Sequence, residues 1–321
     1  MICDKKELIG NTPLVKLNKM FSGKNVYAKL EYFNPTMSIK DRAAFHMVEK
    51  LIDEGKLKKG NCIISATSGN TGLGLCYASI YFDLKLICVV FDTTPNEKKL
   101  LLKSFGAKVI ECDSNKGSTE KGGYVWTAKK ISDNIPESVL IDQFDNHANV
   151  EIHFKTTGPE IIRDLNGKVD YFFSTVGTGG TITGTSMCLK NNINNVYCVG
   201  VDPNGGIYHK DFYNMEAIYE DHFIESISDD FISNNYDKKY IDEFISVSDY
   251  ESFSTCYEIL RKEGLCVGTS SGCALAGVKK FLKNNPNVKG NIVVILPDTG
   301  IKYASTLYNK QWLFDNLKLI I

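Results

Sequence analysis

Short apolar runs rich in β-branched residues alternate along most of the chain with stretches of helical period, and this rhythm predicts the fold class. Strands are predicted over residues 61–66, 85–91, 108–111, 138–141, 171–175, 196–201 and 292–296. Helices are predicted over 71–83, 95–105 and about 150–165, and again from about residue 180. A further amphipathic helix follows Lys40, with Ala43, Ala44, Met47, Val48, Leu51 and Ile52 on one face. Strand–helix–strand repetition implies parallel sheets covered on both faces by helices. Two such α/β units are predicted, with the join near residue 150. Residues 203–240 break the rhythm, being rich in Asp, Asn, Tyr and Ser; they read as a long excursion from the second sheet, of the kind that often forms a lid or wall.

Composition narrows the classes. With 321 residues, 43% hydrophobic and 23% charged, the chain can bury one large core or two modest ones. Thirty-seven Lys and Arg against 38 Asp and Glu leave a net charge of −1, which removes the simple electrostatic case for a nucleic-acid or membrane-surface partner. No apolar run approaches the roughly 20 residues that cross a bilayer. The N-terminus lacks a basic end followed by an apolar stretch, so no secretory signal is expected and the protein is expected in the cytoplasm. Most of the ten cysteines, among them Cys62, Cys76, Cys88, Cys198 and Cys266, lie singly inside apolar segments and read as buried thiols in a reducing compartment. There is no Cys-x-x-Cys pair and the five histidines show no ligand spacing, so no metal site is expected.

Ligands of α/β sheets collect at the carboxyl ends of strands, and four corners there carry candidate chemistry. Thr67-Ser68-Gly69-Asn70-Thr71-Gly72 leaves a strand and opens a helix, an arrangement suited to a carboxylate or phosphate but equally to ordinary helix capping. Gly177-Thr178-Gly179-Gly180-Thr181 does the same with more glycine; a phosphate is its natural guest. Ile182 stands where a dinucleotide loop needs its third glycine, and no Gly-Lys-Ser/Thr follows, so a small phosphorylated cofactor is favoured. Lys40 falls at the positive end of its helix, where a lowered pKa would make its amine a nucleophile toward an aldehyde; a solvated pair with Asp41 is the plainer alternative. Gly268-Thr269-Ser270-Ser271-Gly272 and Pro297-Asp298-Thr299-Gly300 form the fourth place, and capping explains either alone.

Taken together, these segments resemble the cysteine synthase and cystathionine β-synthase family of pyridoxal-phosphate enzymes. The likeness also includes Gly10-Asn11-Thr12-Pro13-Leu14-Val15, Ser38-Ile39-Lys40-Asp41-Arg42, Gln143-Phe144 with Asn146 and Asn149, Thr156-Thr157-Gly158-Pro159-Glu160-Ile161, Glu263-Gly264-Leu265 and residues 296–300, and so runs over nearly the whole length. The resemblance implies two parallel-sheet α/β domains with pyridoxal 5'-phosphate in the cleft between them, the smaller over residues 42–150 and the larger over 1–41 and 151–321. It implies Lys40 as the Schiff-base lysine and proton-transferring base, with Gly177, Thr178, Gly179, Gly180 and Thr181 holding the phosphate. Asn70 would meet the ring hydroxyl and Ser270 the pyridine nitrogen, while Thr67, Ser68, Thr71 and Gln143 would hold the substrate carboxylate. A neutral hydroxyl at that nitrogen makes the ring a weaker electron sink and favours loss of a β-substituent over transamination. The implied activity is β-replacement on a three-carbon amino acid through an aminoacrylate intermediate, in a homodimer.

Two departures matter. Thr36-Met37 stands where many relatives carry a pair of glycines, and Glu225-Ser226-Ile227-Ser228-Asp229-Asp230-Phe231 replaces a glycine-rich wall of the cysteine synthases. Its Asp230-Phe231 resembles the cystathionine β-synthase branch, and Asp230, with Asp229 or Glu225, is expected to place a carboxylate near the β-carbon that activates water or a thiol. In that case cysteine is the donor and sulfide the product; with sulfide as acceptor, cysteine is made from O-activated serine. A diaminopropionate-type synthase, a serine or threonine dehydratase and a catalytically silent homologue are the remaining readings.

Overall fold

A computed structural model describes residues 2–67 and 69–320 and contains two sheets. The smaller has the strand order Lys108–Cys112, Lys85–Phe91, Cys62–Ala66 and Ser138–Leu140, all parallel. The larger runs Leu14–Lys16, Asn25–Leu30, Asn291–Leu296, Tyr171–Thr175, Tyr197–Pro203 and Glu243–Val247, parallel except for its first pair. The α/β reading and the parallel order therefore hold. The predicted strands 85–91 and 171–175 appear with those bounds.

Alternation along the strands shows why both faces must be covered. Ile63, Cys88 and Val90 enter one core of the small sheet, while their neighbours Ile64, Ile87 and Val89 enter another. Phe172 and Phe173 likewise face opposite cores of the large sheet. A strand buried on both sides has no polar face to display, which explains the near-continuous apolar runs.

The expected helix near 150–165 is present but interrupted. Ala148–Ile152 and Gly158–Asp164 are α-helical, and His153–Thr157 between them widens into a π turn. The excursion after Pro203 carries a short helix, Tyr208–Phe212, and a 3-10 turn, Lys238–Tyr240, and is otherwise irregular. Periodicity did not reveal the helices Tyr124–Asn134 and Asp249–Glu263, the edge strand Leu14–Lys16 or the strand Glu243–Val247.

The start of the lysine helix, Lys40–Asp53, is anchored by a buried ionic cluster. Arg42 donates to Glu31 (Nε–Oε2 2.7 Å, Nη2–Oε1 2.9 Å) and to Glu160 (Nη1–Oε1 2.6 Å, Nη2–Oε2 2.8 Å). Thr12 Oγ1 donates to Glu31, and Lys29 lies 2.9 Å from Glu160. Arg42 and Glu31 are 1% and 0% exposed, so Glu31 depends on the guanidinium for compensation, while Glu160 is shared between Arg42 and Lys29. The Gly-Asn-Thr-Pro and Thr-Thr-Gly-Pro-Glu segments are thus structural anchors. Arg42→Met should lower stability by about 3–5 kcal/mol, read as a fall in the denaturant midpoint at unchanged slope.

Candidate active site

All four chemistry-bearing corners converge at the carboxyl edges of parallel strands. Lys40, Asn70, Gly177, Thr178, Gly179, Thr181 and Ser270 line one inner cavity. An outer chamber of about 170 Å³ shares Lys40, Asn70 and Thr178 with it and adds Thr71, Gln143, Asp229 and Glu225. Lys40 therefore stands where the two chambers meet.

Asp41 does not pair with the lysine. Its carboxylate accepts from the Thr36 backbone N–H at 2.6 Å and from the Thr36 hydroxyl, which fixes the loop just before the helix. Lys40 is left facing the cavities, and burial draws its amine below the ordinary lysine range against the opposing pull of Asp229 and Asp298. A lysine poised as a free amine at this junction is suited to condense with an aldehyde.

The glycine-threonine turn fits a phosphate. It feeds the helix Gly180–Asn192, whose first N–H groups have no intrahelical acceptor and whose dipole favours an anion. Gly179 has φ +78°, and a Cβ on it would sit 2.6 Å from Tyr236 N, so both conformation and space demand glycine. Gly180 does not line the cavity; its role is close approach, since a Cβ there would meet Asn149 Oδ1 at 2.2 Å. Asn149 in turn donates to Thr178 Oγ1 at 2.9 Å, and Ser233 Oγ donates to Thr178 O at 2.7 Å. The irregular excursion is thereby explained: Tyr208, Ser233 and Tyr236 buttress the turn from behind, Tyr208 through its hydroxyl to Gly177 O at 2.7 Å. His153, from the π turn, lies 3.2 Å from Thr181 Oγ1, and burial, with Arg42 and Lys40 nearby, keeps its imidazole neutral.

The expected substrate residues separate. Thr71 bonds Gln143 through its hydroxyl, and both line the outer chamber. Thr67 lines neither chamber; its Oγ1 accepts from Gly69 N at 3.2 Å and Gly72 N at 2.8 Å, which shapes the loop. Ser68 lies outside the described residues. Gly268 makes no side-chain cap on the helix Thr269–Asn284, whereas Thr299 does cap the short turn Gly300–Tyr303.

Asp230 is exposed, accepts from Ser118 N at 3.2 Å and is not among the residues lining either chamber. Of the two adjacent aspartates, Asp229 is the one that lines the outer chamber, with the Tyr124 hydroxyl 3.4 Å away. Burial, reinforced by Asp230, pushes Asp229 up to about 6 despite Tyr124 and Lys40. Beside it, Glu225 is ion-paired with Lys98, which reaches across from the helix Asn96–Ser104.

A buried amine beside an anion cradle is the donor set that an aldehyde carrying a phosphate requires, and the comparisons agree. The chain matches the family described as "Pyridoxal-phosphate dependent enzyme" over residues 5–298 and belongs to it, so pyridoxal phosphate is its cofactor. It is 39% identical to a cysteine synthase of Buchnera aphidicola (Schizaphis graminum strain) over 98% of both chains. It is 38% identical to a cystathionine beta-synthase of Apis mellifera over 95% of this chain, and spans 61% of that relative's length. Among solved structures, a hydrogen sulfide-producing enzyme from Fusobacterium nucleatum superposes with a TM-score of 0.88 at 34% identity, covering 94% of this chain and 100% of that one. Among the described residues no helix is long and apolar enough to cross a membrane.

Gly179→Ala should weaken pyridoxal phosphate binding by roughly tenfold or more, because the turn must leave its left-handed geometry or push residue 236 away. Fluorescence titration of the apoprotein with the cofactor measures it.

Proposed function

We propose that the protein catalyses β-replacement on a three-carbon amino acid, releasing sulfide from cysteine and adding water or a thiol in its place. The observation that carries this reading is Asp229, a carboxylate on the wall of the outer chamber in which Lys40 is the single Lys or Arg among the described lining residues. With a pKa of about 6 it is largely ionised at neutral pH and can accept a proton from water or a thiol. An anionic hydrosulfide entering beside it meets like charge, which disfavours sulfide as the acceptor. The structural likeness to a hydrogen sulfide-producing enzyme supports the same direction.

Each residue then has a chemical task. Pyridoxal phosphate, when bound, supplies the aldehyde for Lys40 and an electron sink for charge developing at the substrate α-carbon. Lys40, once free as an amine, takes the α-proton. Thr71 and Gln143, held against each other, offer polar groups to the substrate carboxylate, and Ser270 offers a neutral hydroxyl from the N-terminal turn of its helix. The glycine-threonine turn holds the phosphate through N–H groups that the helix leaves unpaired. Residues 225–229 close the far side of the outer chamber.

A second reading, synthesis of cysteine from O-activated serine and sulfide, is favoured by the end-to-end likeness to a cysteine synthase. We place the reaction in the cytoplasm and in a homodimer; buried thiols with burial-raised pKa values, such as Cys76 at about 12, support a reducing compartment.

Cysteine, serine, O-acetylserine and O-phosphoserine, each mixed with the purified protein, separate these readings. Fast sulfide release from cysteine is expected; if only the O-activated serines change the cofactor absorbance, cysteine synthesis is the function. Lys40→Ala should abolish the borohydride-reducible adduct between residue 40 and pyridoxal phosphate. Asp229 must be deprotonated to act as a base, so turnover should fall as pH drops through about 6, and Asp229→Asn should slow addition of the acceptor and erase that acid limb. An acid limb that survives intact in Asp229→Asn assigns it to another group.

A further inference from the structure

Asn70 is held between two buried residues of opposite charge, Lys302 and Asp298. Lys302 Nζ donates to Asn70 Oδ1 at 2.8 Å, to Thr36 O at 2.7 Å and more distantly to Met37 O at 3.5 Å. Asp298 Oδ2 accepts from Asn70 Nδ2 at 2.8 Å and from the Tyr303 hydroxyl at 2.6 Å. Asp298 is 1%, Lys302 6% and Asn70 8% exposed, so these contacts face little competition from water. Asp298 Oδ1 has no partner among the described residues and lies against Gly268, where the helix bearing Ser270 begins.

The chemistry of the two neighbours fixes the amide. An ammonium can only donate and a carboxylate only accept, so the carbonyl end of Asn70 must face Lys302 and its NH2 end Asp298. A flipped amide would set N–H against ammonium and C=O against carboxylate, losing two charge-assisted bonds at once. One N–H is then taken by Asp298, and the other is the group Asn70 can turn toward the inner cavity that it lines.

We propose that Lys302 and Asp298 are positioning residues that make Asn70 a donor, and never an acceptor, toward the cofactor ring. This rests on the reading in which Asn70 meets the ring hydroxyl. A donor there stabilises the ionised ring oxygen and works against its protonated form. The orientation is set by fixed charges before the cofactor arrives, so no reorganisation accompanies binding. The same pair joins the lysine loop to the asparagine loop, because Lys302 holds Thr36 O while Ile39 N donates to Pro297 O at 2.8 Å.

The test compares wild type, Lys302→Met and Lys302→Arg, loaded with pyridoxal phosphate, by absorbance and by cofactor titration, with apoprotein unfolding midpoints alongside. Lys302→Met should shift intensity from the longer-wavelength band of the ionised ring oxygen to the shorter-wavelength band of the protonated form, and weaken cofactor binding roughly tenfold. Lys302→Arg, which keeps the charge and the donors, should restore most of the wild-type spectrum. If Lys302→Met does not fold, Asp298→Asn removes the charge at the other end of the amide and should produce the same spectral shift. A wild-type spectrum in the variants, even with a lowered unfolding midpoint, overturns the proposal and leaves the pair as loop anchors. Failure of wild-type protein to form a reducible adduct at Lys40 would instead overturn the underlying cofactor reading.

Discussion

The site depends on a guanidinium that never touches it. Arg42 lies two positions after Lys40 and holds Glu31, at the end of a large-sheet strand, and Glu160, on the helix after the π turn. A buried ion pair of this kind contributes little net stability compared with apolar packing, but it cannot be half satisfied, so it specifies one arrangement of the three segments. Once that arrangement is set, the lysine helix can start in only one place. Thr36 then holds Asp41, the strand-like pairing of Ser38 with Asp298 holds the loop, and Lys40 is delivered to the junction of the two chambers.

Around that junction Arg42, Lys98 and Lys302 each have a defined counterpart. Arg42 belongs to Glu31 and Glu160, Lys98 to Glu225, and Lys302 sits among Asp298, Asp41 and the Asn70 carbonyl. Lys40 has only the more distant pull of Asp229 and Asp298, which burial outweighs. A buried lysine with no close carboxylate of its own loses its proton more readily than one that has such a partner. The lowered pKa of Lys40 therefore reflects its burial and the lack of a close counter-charge as much as its position at a helix start.

What was legible in the chain follows from the regularity of the elements. Parallel strands covered on both faces read as unbroken apolar runs, and the turns at their ends are written in glycine and hydroxyl residues, so residues 85–91, 171–175 and 177–181 could be placed in advance. The wall of the outer chamber could not. Ser226 and Ser228 have φ of 68° and 52°, so between Glu225 and Asp230 the backbone follows neither a strand nor a helix period, and nothing in residue spacing says which aspartate faces inward. Thr67 shows a related ambiguity: a threonine after a strand can present its hydroxyl to a ligand or fold it back on the backbone, and in the structure its hydroxyl accepts from Gly72 N. Lys302 was silent because a lone lysine after a turn has no pattern; its significance lies in contacts more than two hundred residues away in sequence.

The division into two chambers that share one lysine has a chemical consequence. The inner chamber presents donors, namely the N–H groups of the glycine-threonine turn, the Asn70 amide and the Ser270 hydroxyl, and no carboxylate among its described lining residues. The outer chamber presents Asp229 and Glu225, with the latter neutralised by Lys98. The inner lining thus suits an anionic group, and the outer lining suits a neutral molecule with a proton to give up. Exchanging these surroundings would place a phosphate beside Asp229 and a nucleophile beside groups that cannot accept its proton. Lys40 lines both chambers, so in the proposed reaction a single amine faces the anion-binding side and the side that carries the carboxylates.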